Sequence, residues 1–348
     1  MYRLEVFNLE LREELRQSIL RRLKQKQDPL DGFYAPEQTK EAILAVLVSG
    51  RHLLLEGPPG TGKTTLARIL ARQLEPMQVV EGCRYNCDPA SPRCPDCLAK
   101  RTGPGTVTVP GNARFVRVQG SPELMPEDLL GDIDPVIAMQ CGIHDPRAFT
   151  PGRIQRAHRK ILFIDELNRI PERTQNTLIQ VLEERSTTLA GFDIDVPVDT
   201  VVIATQNPQE FAGVDRISET LGDRFERVQI GYPNPEQEVA ILKRYARKYK
   251  GVKFEEGLLS KVVDISQATR ANEDISRPAS VRASIATFEQ AQAIAQLKGR
   301  DNVAREDIEK AALISLQGRT EVSPNSQYFE NPSDLFKQLV EEKLPPDE

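Results

Sequence analysis

Gly57-Pro-Pro-Gly-Thr-Gly-Lys63-Thr64 is the stretch on which the fold turns. It has the form G-x-x-x-x-G-K-[ST]. It stands between the apolar run Arg51-His-Leu-Leu-Leu-Glu56 and a segment of helical character over 63–74. A strand, a glycine-rich turn and a helix in that order are the setting in which this motif cradles phosphate. Glycines let successive backbone N–H groups turn inward as a nest for anionic oxygens, and the helix N-terminus adds a favourable field. Gly57, Pro58, Pro59, Gly60, Thr61, Gly62, Lys63, Thr64 and Thr65 are therefore the expected phosphate-binding residues. Lys63 is expected at the β- and γ-phosphates of a nucleotide and the Thr64 hydroxyl on Mg2+.

Outward from this loop, strands and helices alternate. Strands are expected at 115–119, 160–164 and 200–205, and a helix at 171–185 with proline in its first turn. Such alternation means a parallel sheet covered on both faces, an α/β fold. The strand Ile161-Leu-Phe-Ile-Asp165-Glu166 delivers two acids at its C-terminal edge, where ligands bind in these sheets. Asp165 is expected to hold Mg2+ through water, and Glu166 to polarise an attacking water. Val201-Val-Ile-Ala-Thr-Gln-Asn207-Pro208 ends a buried strand in an amide that could orient that water. After Tyr232-Pro-Asn-Pro235 helices dominate, at 235–249, 256–270, 279–298 and 304–317, and a second, all-helical domain is expected.

The division expected is an N-terminal amphipathic helix in 1–30, a core at 31–232, a helical domain at 233–318 and a loosely packed, proline-containing tail at 319–348. The first helix, over 6–26, carries Leu11, Leu15, Ile19, Leu20 and Leu23 on one stripe, and a second helix spans 36–49. Lys63 and Asp165 are farther apart than one helix and one strand require, so two insertions are expected, a cysteine-rich one at about 79–100 and a hairpin one at about 120–158. A further hairpin follows Glu184, with its turn near Gly191 or Phe192-Asp193.

Bulk properties narrow the function. The 348 residues hold 46 Lys and Arg against 51 Asp and Glu, a net charge of −5, which argues against coating nucleic acid by bulk charge. Apolar residues make up 39%, an ordinary globular share, and no run approaches the about 18 residues of a membrane span. The first residues, Met1-Tyr-Arg-Leu-Glu, lack the pattern of a signal peptide, so a cytosolic chain is expected.

The three motifs followed by a helical domain resemble the AAA+ ATPases. Leu162-Phe-Ile-Asp-Glu-Leu-Asn-Arg-Ile-Pro171, Thr174-Gln175, Leu182-Glu-Glu-Arg185, Ala204-Thr-Gln-Asn-Pro208 and Asp223-Arg-Phe225 resemble the MoxR family, whose near relative is the magnesium-chelatase motor subunit. The resemblance implies an AAA+ parallel-sheet domain followed by a small all-α lid. It implies an ATPase that forms a ring, usually hexameric, with ATP at subunit interfaces. It implies Asn207 as a sensor residue, Arg224 as an arginine finger completing the neighbouring subunit's site, and Arg282, in Ser280-Val-Arg-Ala-Ser284, as the lid sensor; Arg227 and Arg277 are the alternatives for the last two. Partners in that family often carry a metal-binding von Willebrand factor A domain. The implied function is remodelling or activation of a partner protein, the alternatives being a chelatase motor acting in tetrapyrrole metallation and a nucleic-acid motor. The hairpin insertion lies where this branch inserts one, and its Leu124, Met125, Leu129 and Leu130 read either as a client-facing surface or as core.

Cys83-x3-Cys87-x6-Cys94-x2-Cys97 is not explained by that resemblance. The segment is rich in Pro, Asp, Asn and Arg and holds almost nothing apolar, so it has no core of its own, and a metal is the usual substitute. Four cysteines with a C-x2-C half suit structural zinc. An iron–sulfur cluster, a redox pair and free thiols are the other readings. Cys141 is expected to be a small buried apolar residue. His52, His144 and His158 show no ligand spacing.

Overall fold

A computed structural model describes residues 10–99, 102–143, 145–189, 194–207 and 217–345. The chain divides into two units, one of residues up to 33, 37–57 and 62–230, the other of residues 34–36, 58–61 and 231 onward. In the first, α1 (Leu11–Lys24), α2 (Glu37–Val48), β1 (His52–Glu56) and α3 (Lys63–Arg72) precede the cysteine-rich segment, which contains β2 (Met77–Val80), α4 (Pro95–Leu98) and β3 (Thr106–Val109). Then come β4 (Phe115–Gln119), the insertion α5 (Pro126–Leu130), β5 (Asp132–Ile133), α6 (Pro135–Cys141), β6 (Phe149–Thr150) and α7 (Arg153–Arg156), and β7 (Lys160–Asp165). The unit closes with α8 (Glu172–Glu184), β8 (Ser186–Leu189), β9 (Ile194–Pro197), β10 (Thr200–Gln206), α9 (Glu219–Gly222) and β11 (Phe225–Gln229).

Five strands form one parallel sheet in the order β11-β1-β10-β7-β4. Leu53, Leu54 and Leu55 of β1 and Ile161 to Ile164 of β7 are fully buried, because a sheet covered on both faces buries successive side chains rather than alternate ones. β11 was not expected. It is an edge strand in which only Phe225 and Val228 are buried, so no apolar run marks it. In α1 the stripe is shorter than expected: Leu11, Leu15 and Ile19 are buried, while Leu23 is half-exposed at the last turn. Residues 6–9 of the expected helix lie outside the described residues.

The cysteine-rich segment is carried on an antiparallel ribbon, β2 with β3. In the hairpin insertion β5 and β6 pair antiparallel, with α6 between them in sequence. Leu129 is fully buried and Leu124 and Leu130 pack against the same core, so these three are core residues; Met125 alone is 46% exposed. β8 and β9 form the expected later hairpin, whose turn at 190–193 lies outside the described residues.

The second unit comprises α10 (Pro235–Tyr245), α11 (Glu256–Ala271), β12 (Ile275–Arg277), α12 (Val281–Leu297), α13 (Arg305–Gln317), β13 (Glu321–Val322) and α14 (Pro332–Lys343). The expected loose tail is a correction. Residues 332–343 form a helix whose Leu335, Phe336, Leu339 and Val340 are buried in the same core as Val262, Phe288 and Ile308. Pro332 sits at the first helical position, where a missing N–H costs nothing, so a proline there starts a helix rather than preventing one. Among the described residues no helix is long and apolar enough to cross a membrane.

Candidate nucleotide site and cysteine cluster

The register of the sheet gathers the first unit's site. Glu56 of β1 stands opposite Gln206 of β10, and Gln119 of β4 opposite Asp165 of β7. The C-terminal ends of β1, β10, β7 and β4 therefore share one edge, the edge at which open parallel sheets bind ligands. The phosphate loop leaves β1 with Gly57 so close to β11 that a Cβ there would lie 2.1 Å from the Ile230 carbonyl oxygen. Lys63 is the first residue of α3, and its Nζ donates to the Gly57 carbonyl at 2.8 Å. Thr64 and Thr65 follow in the first turn, half-buried. Residues 58–61 group with the second unit, where Thr61 Oγ1 donates to the Pro58 carbonyl at 3.0 Å. Gly60 has φ of +81° there, and a Cβ on it would lie 2.8 Å from Ser280 Oγ and 3.5 Å from Arg282 Cγ.

Asp165 and Glu166 end β7 under tight control. Glu166 has a left-handed backbone, φ +54°, and its N–H donates to Thr205 Oγ1 at 2.8 Å. The same hydroxyl donates to Asp165 Oδ1 at 2.8 Å. One buried threonine of β10 thus holds both acids of β7. Asp165 Oδ2 accepts from Arg117 at 2.7 Å, while Glu166 Oε2 accepts from Gln119 at 3.1 Å and from Arg169 at 3.0 Å. Gly120 lets β4 approach: its N–H donates to the Asp165 carbonyl at 2.7 Å, and a Cβ would lie 2.1 Å from the Glu166 carbonyl oxygen.

Thr205, Arg117, Gln119, Arg169 and Gly120 were not among the residues read from the sequence. Arg117 and Gln119 carried a signal, as polar residues in an apolar strand. Thr205 carried none, because a threonine is at home in any strand.

Asn207 follows β10 directly and is half-buried. Arg224, between α9 and β11, pairs with the Glu183 carboxylate of α8 and donates to the Thr220 carbonyl. Arg227 is half-exposed on β11, 3.7 Å from Glu56. Arg282 is exposed at the second position of α12. Arg277 on β12 pairs with Glu321 at 2.6 Å.

The four cysteines converge. Sγ atoms of Cys83, Cys87, Cys94 and Cys97 all lie within 4.8 Å of one another, and Cys83 and Cys94 are 3.7 Å apart. None of the four is in a disulfide. Sulfurs also accept backbone N–H groups, Cys83 from Cys87 and Cys94 from Cys97, each at 3.4 Å. Hydrogen bonds from its neighbour thiols hold Cys83 low. The Cys94 thiol is pushed up chiefly by Cys83, and burial pushes Cys97 up to about 12. Cys141, expected to be buried, is half-buried on α6, a helix that buries none of its residues.

Two histidines are structural. Burial, aided by the Arg12 guanidinium, drives His52 down to about 3, and its Nδ1 accepts from the Val202 N–H at 3.0 Å. Burial drives His158 down to about 4, and its Nδ1 accepts from the Asp199 N–H at 3.0 Å. His144 lies outside the described residues.

Three sequence profiles align in order along the chain. They are magnesium chelatase, subunit ChlI, on residues 31–86; the ATPase family associated with various cellular activities on residues 96–227; and an AAA lid domain on residues 267–339. The chain is 27% identical over 311 residues to the uncharacterized protein YeaC of Bacillus subtilis, covering 82% of each. It is 27% identical over 307 residues to chaperone MoxR1 of Mycobacterium tuberculosis, covering 78% of this chain and 68% of that one. It is 27% identical over 350 residues to a magnesium-chelatase subunit ChlI homolog of Methanocaldococcus jannaschii, covering 91% and 89%.

Proposed function

We propose that this chain, which belongs to the AAA ATPases with a lid domain of the MoxR and magnesium-chelatase ChlI type, hydrolyses Mg-ATP to remodel or activate a partner protein. The family implies ATP hydrolysis. The observation that carries the reading is the Thr205 hydroxyl, which fixes Asp165 and Glu166 together at the sheet edge where the Gly57–Lys63 turn begins. The backbone N–H groups of Gly60, Thr61, Gly62 and Lys63, with the Lys63 ammonium, bind the phosphates. The donors available for a cation, the Thr64 hydroxyl and the Asp165 carboxylate, are hard oxygens of the kind Mg2+ takes, so the residues fit it. Mg2+ held by these residues would neutralise negative charge on the nucleotide phosphates. Glu166 accepts a proton from the attacking water, and Gln119 and Arg169 orient its carboxylate. Arg117 pairs with Asp165 at 2.7 Å and holds its carboxylate at the sheet edge, where it would be a ligand for the cation.

Asn207 orients the water. Arg224 acts in trans on a neighbour's γ-phosphate in a hexameric ring, once its guanidinium leaves Glu183. Arg282 contacts nucleotide from the lid; the closeness of Gly60 to Ser280 and Arg282 supports it over Arg277, which is engaged by Glu321. A protein with a von Willebrand factor A domain is the proposed partner. Action as the motor of a chelatase is the second reading, supported equally by the alignment of residues 31–86 with magnesium chelatase, subunit ChlI. Trapping the ring with Glu166→Gln and ATP, and identifying what is retained, separates them: a tetrapyrrole-binding subunit supports the second, and any other protein the first.

We infer that Cys83, Cys87, Cys94 and Cys97 hold one structural zinc ion. Zinc–thiolate bonds of about 2.3 Å in a tetrahedron place sulfurs about 3.8 Å apart. The 3.7 Å between Cys83 and Cys94 and the 4.8 Å limit on all four support a single ion. A cluster of several irons needs a wider set of thiolates. Metal analysis of protein purified under reducing conditions tests this; one zinc per chain is expected, and a chain that holds no metal, or a different metal in its place, refutes it.

A further inference from the structure

We propose that the four-cysteine knuckle is a metal-dependent brace that ties the bases of both hairpins, β5–β6 and β8–β9, to the entrance of β7. The inference rests on the metal reading above and concerns what the ion holds in place.

Between Cys83 and Cys97 the only large apolar side chain is Tyr85, and Val80 of β2 is half-buried against the same cluster. Tyr85, Cys87 and Cys94 are buried, and the residues that complete their small core come from elsewhere: Phe149 of β6 and Val196 of β9. Each hairpin thus contributes one fully packed side chain to a core whose centre is the sulfur cluster. Phe149 is seated firmly at the other side too, since a Cβ on Gly131 would lie 2.8 Å from its ring. If the sulfurs spread, both side chains lose their partners.

Polar contacts run the same way. Asn86, held at φ +55° between the first two cysteines, donates from Nδ2 to the Arg156 carbonyl at 2.9 Å. Asp88 pairs with Arg159 at 3.2 Å, both side chains largely buried. Arg159 also donates to the Gln78 carbonyl on β2 at 2.8 Å, and its N–H to the Asp199 carbonyl at 2.7 Å. Residues 156 and 159 lie just before β7, whose far end leads into Asp165 and Glu166. Gln155 joins the two hairpins behind the knuckle, donating to the Leu130 carbonyl at 2.6 Å and to Thr187 Oγ1 at 3.2 Å.

Four thiols gathered within 4.8 Å, with so little apolar surface around them, do not stay gathered by packing alone. The cation closes the brace, and by linkage the brace must tighten the cation.

The test uses the whole chain. Hydrogen exchange is followed by mass spectrometry on metal-loaded protein and on protein stripped by chelator, with zinc counted in both. Stripping is expected to raise exchange about tenfold or more in peptides over 145–152 and 194–199, and to leave peptides over β1 and α3 unchanged. A Phe149→Ala variant leaves every cysteine in place. It is expected to keep one zinc per chain, yet to release it at least about threefold faster to a chromogenic chelator. If the purified chain holds no metal, the zinc reading and the brace both fall. If zinc is present and stripping leaves both hairpin peptides unchanged, or opens β1 and α3 equally, the brace is overturned while the zinc reading stands. Phe149→Ala releasing zinc at the wild-type rate would likewise overturn the brace alone.

Discussion

Replacing Thr205 with valine keeps the shape of the side chain and removes one oxygen. That oxygen accepts the Glu166 N–H and donates to Asp165 Oδ1, each at 2.8 Å, at a site 1% exposed. The N–H is left without its partner, costing about 1–3 kcal/mol, and a hydrogen bond to a carboxylate adds about 1.5–3 kcal/mol. The two share one donor–acceptor group and are not additive, so a loss of about 2–4 kcal/mol in unfolding free energy is expected. Glu166 also loses the contact that fixes its left-handed backbone, and a carboxylate displaced by a fraction of an ångström is a poor general base. ATP turnover is expected to fall about tenfold to a hundredfold, with ATP binding changed less than about threefold, because the hydroxyl's two hydrogen bonds run to Asp165 and Glu166 rather than to a phosphate-binding group. Urea unfolding gives the first quantity and steady-state hydrolysis with a separate binding isotherm gives the second. Thr205→Ser should recover most of both. Turnover within twofold of wild type in Thr205→Val, with a measurable loss of stability, would show that the hydroxyl is structural only and that Glu166 is not positioned by it.

Arg224→Ala is expected to keep ATP affinity and lose about a thousandfold in rate, since an arginine finger stabilises charge that grows only in the transition state. Mixing it with Lys63→Ala subunits should restore some turnover, because an intact loop and an intact Arg224 meet wherever the two variants adjoin; no recovery in mixed rings verified by mass would place Arg224 in cis and turn attention to Arg227. Acid should destabilise the first unit through His52 and His158, which burial holds at about 3 and about 4 while a free imidazole titrates near about 6.5. The unfolded chain takes up those protons first, so stability is full above about pH 6.5 and falls toward pH 4 by up to about 1.4 kcal/mol per pH unit for each histidine. Unfolding measured across that range in His52→Gln should show a shallower slope than wild type, and an unchanged slope would contradict the assignment.

What the sequence made legible was local. A glycine-rich turn between an apolar run and a helical one is spelled out in consecutive residues, and so is a strand that ends in Asp165-Glu166. The parallel sheet followed, because fully apolar strands separated by helices have few other arrangements. What escaped depended on partners distant in the chain. Thr205 matters because β10 lies beside β7, and Arg117 and Gln119 matter because Gln119 falls opposite Asp165. β11 gains its place by pairing with β1 rather than by burying a run of its own. Residues 332–343 looked like tail because the stretch from Glu321 holds four prolines and many polar residues, yet their apolar residues at 335, 336, 339 and 340 have helical spacing and complete a core built by α11 to α13. The cysteines were legible as a quartet, but the spacing did not reveal that Phe149 and Val196 would join them.

The most direct measurement is ATP binding and turnover by Glu166→Gln in the presence of Mg2+. The substitution keeps size and hydrogen-bonding capacity and removes the base. Affinity for ATP within about threefold of wild type, with turnover reduced at least about a hundredfold, is the predicted result. Turnover close to the wild-type rate would contradict the assignment of Glu166, and with it the placement of hydrolysis at the edge where β1, β10 and β7 end.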